Sequence, residues 1–114
     1  MSNELGPQQP WTLVGLLAAV RFTVTADPDP GLLPRLLQPF AKRDLTPDLF
    51  EARLTGVPPS GAPPSGGVMR IDIALAAMPA EMVHLVLGNL GQIVGVTAVT
   101  HRQEITGQVS RRAA

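Results

Sequence analysis

The chain has 114 residues, nine Lys+Arg balancing nine Asp+Glu, and only 16% charged residues. That fits one domain and excludes a strongly basic nucleic-acid footprint or a charged tail. Hydrophobic residues reach 45% and the mean hydropathy is +0.19, rather apolar for so small a domain, and part of the surplus is assigned to a subunit interface. With no cysteine, disulfides, thiolate catalysis and cysteine metal sites are removed together, which suits the cytosol.

Met1 to Pro10, with Gly6, Pro7 and Pro10 among polar residues, has little to bury and reads as a loose tail. Trp11 to Val20 is an apolar lead-in that fits a short helix or an extension of the following strand, since a brief continuous apolar run shows neither period. It falls short of the roughly 20 apolar residues a spanning helix needs. Only Glu4 is charged ahead of it, unlike a signal peptide. The expectation is a cytoplasmic protein without a membrane segment. From Arg21, Phe22, Val24 and Ala26 alternate with Arg21, Thr23 and Thr25, the period of a strand with one covered face.

Asp27-Pro28-Asp29-Pro30-Gly31 breaks that strand. Leu32, Leu33, Leu36, Leu37 and Phe40 then recur at helical spacing. Pro34 is tolerated in the first turn, whereas Pro39 kinks or shortens the helix. Lys42 and Arg43 suit the carbonyl pole. Thr46 before Pro47 returns the chain to extended structure. In Asp48 to Leu54, Phe50, Ala52 and Leu54 share one strand face, and Leu49, Glu51 and Arg53 the other. Residues 55–67 repeat Pro-Pro-Ser-Gly and read as a flexible hairpin loop.

Met69, Ile71, Ile73 and Leu75 form the third strand. Pro79 opens the second helix as its first residue. Met82, Val83, Val86, Leu87 and Leu90 make its stripe, and Gly88, Asn89 and Gly91 mark its end. Gln92 to Thr100, apolar on both faces, reads as a fourth and central strand. His101 onward turns polar and reads as a frayed tail. The organisation is thus a lead-in over 1–20, a folded unit over 21–101 and a tail over 102–114. Strand, helix, strand, strand, helix, strand is the ferredoxin-like α+β plan: a four-stranded antiparallel sheet with both helices on one face. The bare face or a sheet edge then favours a homodimer or a larger homo-oligomer.

Asp29-Pro30-Gly31-Leu32-Leu33, followed by Arg35, Phe40 and Lys42-Arg43, together with Asn89-Leu90, Ile93-Val94, Val96 and Val99, resembles the ACT domains, small amino-acid-sensing modules. Within that family the chain is similar to the small regulatory subunits of acetolactate synthase. The likeness covers Phe22 to His101 and departs from it at Pro28 and Thr46, where those subunits often carry asparagine. It implies a non-catalytic regulatory domain in branched-chain amino-acid biosynthesis. It also implies an effector such as valine or another branched-chain amino acid, and a large thiamine-diphosphate-dependent synthase as partner.

The chemistry of the first loop agrees with a sensor. A glycine opening a helix lets a ligand carboxylate approach backbone amides at the helix's positive pole, and Asp29 can meet an α-amino group. By resemblance the effector lies between Asp29, Gly31, Leu32 and Leu33 of one subunit and Thr46 and Asp48 of its neighbour. Plainer roles stand beside these: Gly31 serves a tight turn, Asp29 caps the helix, and Thr46 and Asp48 are turn residues. His84 and His101 have no partners that would make a metal site, and no cofactor is expected. With no tyrosine, no cysteine and a single lysine, catalysis is not expected. The competing function is a ferredoxin-like assembly module without a ligand.

Overall fold

The computed structural model describes residues 14–56 and 67–110. Six elements follow in the expected order: β1 (Val14–Ala26), α1 (Leu32–Ala41), β2 (Leu49–Thr55), β3 (Val68–Pro79), α2 (Ala80–Gly91) and β4 (Val96–Ser110). The sheet is antiparallel in the order β2-β3-β1-β4, the ferredoxin-like arrangement. Among the described residues no helix is long and apolar enough to cross a membrane.

Alternation along the two central strands builds the core. Ala18, Val20, Phe22, Val24 and Ala26 of β1 and Met69, Ile71, Ile73 and Leu75 of β3 are buried with Leu32, Leu36 and Phe40 of α1 and Val83, Val86 and Leu90 of α2. Both helices therefore cover one face. Phe22 is the hinge of this packing: its ring meets Phe40 edge-on at 5.7 Å, with His101 stacked at 6.3 Å.

At the end of helix α1, Arg43 does what its sequence position suggests, and the rest of the closure is one the sequence hides. Arg43 donates from Nη1 to the Pro39 carbonyl at 2.9 Å. The Leu45 amide reaches Phe40 O at 2.9 Å and the Asp44 amide reaches Ala41 O at 3.1 Å, the two bonds of a Schellman closure. Asp44 fills the left-handed position, φ 55, that glycine usually takes, and aspartate tolerates it because its short polar side chain can bond locally.

The lead-in, open in sequence between a short helix and an extension of the first strand, is the strand extension where described: β1 begins at Val14 and pairs with β4 along its whole length. Other sequence expectations shift. Pro79 closes β3 at ψ 124 instead of opening α2, which starts at Ala80. The fourth strand begins at Val96, after Gly95 turns the chain at φ 100, and it lies at the edge rather than the centre. Its polar end is no frayed tail, because His101 to Ser110 continue the ladder against β1. Residues 1–13, most of the 55–67 loop and residues 111–114 lie outside the described residues.

The face away from the helices is charged and small-sided rather than apolar, so it does not hold the hydrophobic surplus. Its register makes rows across the sheet: Leu49, Ala74, Arg21, Arg102; then Glu51, Asp72, Thr23, Thr100; then Arg53, Arg70, Thr25, Ala98. Asp72 is buried there, accepting from the Thr23 hydroxyl at 3.1 Å with Arg70 Nε at 3.6 Å. The exposed large apolar residues are dispersed over the molecule, among them Leu16 on β1, Leu54 on β2, Leu85 on α2, Val94 in the turn before β4 and Ile105 on β4.

Candidate functional site

The loop between β1 and α1 is ordered by its own aspartate. Asp29 Oδ1 accepts from the Gly31 amide at 2.9 Å, and the Asp29 carbonyl accepts from the Leu32 amide at 3.0 Å, a side-chain turn of the kind aspartate favours. Arg35, one turn into α1, closes the loop from outside. Its Nη2 lies 3.3 Å from Asp29 Oδ2 and its Nε donates to Gly31 O at 3.2 Å. This pair is about half exposed on both sides, so it contributes at most about 1 kcal/mol and yields readily to a competing charge.

Two of the amides expected to receive a ligand carboxylate thus already donate within the loop. A Cβ on Gly31 would lie 3.3 Å from Asp29 Oδ1, so the space that glycine opens is filled by the neighbouring carboxylate. An incoming carboxylate reaches the Gly31 amide only by exchanging with Asp29, which would leave Asp29 free to accept from an amine. Leu32 is wholly buried and contributes to the core; Leu33 packs against that core while half-buried.

Thr46 and Asp48 lie beyond the other end of α1, whose ten residues put about 15 Å between the two groups. Thr46 is exposed. Asp48 prolongs the β2–β3 ladder: its amide donates to Ala74 O at 2.8 Å, and its Oδ2 accepts from the Ala76 amide at 2.6 Å. One chain therefore does not bring the six candidate residues together.

Arg35, Lys42 and Arg43, the basic residues of α1 and its end, have separate surroundings. Arg35 holds the loop and Arg43 caps α1. Lys42, with Arg35 and Gln38, borders a shallow groove of about 280 Å³ against Asn89 and Gln92 at the end of α2. Arg35 as the partner of Asp29 was missed, although a basic residue six positions on, past one helical turn, is the available signal. Compared with known proteins, the chain matches no family model, no curated protein and no solved structure.

Proposed function

We propose that the chain is a non-catalytic regulatory module of the ACT-like kind. In this reading it holds a small amino acid at the boundary between two copies and controls a partner enzyme, with acetolactate synthase the partner the sequence motifs favour. The observation that carries the reading is the separation just described. The Asp29–Gly31 loop and the Thr46–Asp48 segment are both exposed but sit at opposite ends of α1, so a site using both needs a second protomer.

Assembly has a physical opening at β2. Its outer edge pairs with no strand among the described residues, and Ala52 and Leu54, on the same side as the core, are exposed there. Such an edge is a template for pairing with another chain. In the dimer the effector's carboxylate would replace Asp29 at the Gly31 amide while its ammonium took up the released Asp29.

Titration calorimetry with valine, leucine and isoleucine, run beside light scattering, tests this. Binding by a dimer, weakened at least about tenfold (1.4 kcal/mol) in Asp29→Ala, is expected. A dimer that gives no heat with any amino acid favours the second reading, an assembly module without a ligand. That alternative draws on the internal satisfaction of the Gly31 and Leu32 amides and of one Asp48 oxygen. Co-purification with a thiamine-diphosphate enzyme, whose rate then responds to the amino acid, tests the partner.

A further inference from the structure

The open face of the sheet has a hollow of about 630 Å³ near the end where β2 begins. It exists because β1 and β3 slip against each other: Ala18 faces Met78 and Val20 faces Leu75, so two β3 residues, Ala76 and Ala77, oppose Ala19 alone. The slip is a bulge, and alanine at Ala19, Ala74 and Ala76 leaves its floor without side-chain bulk.

Charge is distributed unevenly around that floor. Arg21 and Arg102 stand directly opposite each other on β1 and β4, and both line the hollow. Like charges so placed are unfavourable. Elsewhere on this face each arginine has its carboxylate, Arg53 with Glu51 at 2.9 Å and Arg70 with Asp72 at 3.6 Å. Among the described residues, Arg21 and Arg102 form no ion pair within 4.0 Å. Asp48 and Glu104 complete the rim. Asp48 is fixed by its bond from the Ala76 amide, which leaves its other oxygen able to accept.

We infer that this hollow binds a small zwitterion, its carboxylate clamped between the guanidinium groups of Arg21 and Arg102 and its ammonium turned to Asp48 or Glu104. Paired guanidiniums suit a carboxylate because their planar donors meet both oxygens. The two acids of the rim oppose a multiply charged anion and favour a ligand with one charge of each sign. Short apolar substituents lie over the alanines. The hollow lies within one chain and uses neither Asp29 nor Gly31; it shares only Asp48 with the reading above, so the arginine variants and the Asp29–Leu33 shifts tell the two apart.

The test follows backbone amide shifts of the full chain by NMR during titration with L-valine, with isobutylamine, which lacks the carboxylate, and with 3-methyl-2-oxobutanoate, which lacks the amine. Valine is expected to move the Ala19, Ala74 and Ala76 amides. Isobutylamine is expected not to, and the oxo acid to bind several-fold more weakly than valine. Arg21→Gln and Arg102→Gln, both at exposed positions, are each expected to weaken valine at least about tenfold. Asp48→Asn keeps an oxygen for the Ala76 amide and is expected to weaken valine while sparing the oxo acid. Valine shifts confined to Asp29–Leu33 and indifferent to both arginine variants would overturn the hollow and leave the interface site standing. No response to any probe at millimolar concentration would also overturn it.

Discussion

Consecutive residues of β1 and β3 face two different environments. Phe22, Val24, Ile71 and Ile73 point under the helices and are fully buried, while Arg21, Thr23, Thr25, Arg70 and Ala74 point the other way and remain at least partly accessible. The covered face is held by packing, so its residues are interchangeable only within tight limits of volume. The open face has no packing partner among the described residues, so its pattern of paired and unpaired charge is free to serve binding. The strands that fix the fold thus present their chemistry on their other side.

Three substitutions sharpen that contrast. Phe22→Ala on the covered face removes the ring that joins Phe40 to His101 and is expected to cost about 3–5 kcal/mol, read as a lower urea midpoint with an unchanged slope. Thr23→Val on the open face keeps volume but takes the hydroxyl from buried Asp72, leaving Arg70 at 3.6 Å. An under-satisfied buried carboxylate is expected to cost about 1–3 kcal/mol. Asp72→Asn, which keeps an oxygen for Thr23, is expected to cost less than Thr23→Val. The opposite order in urea denaturation would mean that the hydroxyl does not support the carboxylate.

Alternation in β1 and β3 and the leucine stripe of α1 made the covered face and the order of elements legible, because burial writes its period into the sequence. The edge left no such mark. Beyond Val99, β4 is exposed on both sides through Thr106, and a strand without a covered face alternates nothing. Its position at the edge was hidden for the opposite reason: Ile93 and Val94 gave an apolar run suited to a central strand, yet both lie in the turn before it. Ala18-Ala19 and Ala76-Ala77 carry no period at all, so the slip that makes the hollow could not be read. The bond from the Ala76 amide to Asp48 spans 28 positions and depends on the register of two strands. Asp29 was found for its helix-opening position; that its carboxylate closes on the Gly31 amide is a matter of loop torsions.

The smallest effect has the opposite sign. Arg21→Thr removes one member of the Arg21–Arg102 pair and places a β-branched residue, well suited to a strand, in a row whose neighbours are Ala74 and Arg102. Relief of like charge across the ladder is expected to raise stability by about 0.2–1 kcal/mol. The gain should shrink as salt rises, because the Debye length falls from about 30 Å at 0.01 M to about 10 Å at 0.1 M. Urea denaturation of the two proteins at both ionic strengths gives the sign and its salt dependence together. A gain that fades with salt means the chain keeps two uncompensated guanidinium groups side by side at a cost to its own fold, as a clamp for a carboxylate requires. A loss of more than about 1 kcal/mol, too large for an exposed side chain without a structural partner, would mean that Arg21 is already engaged within the chain, and the clamp would lose its premise.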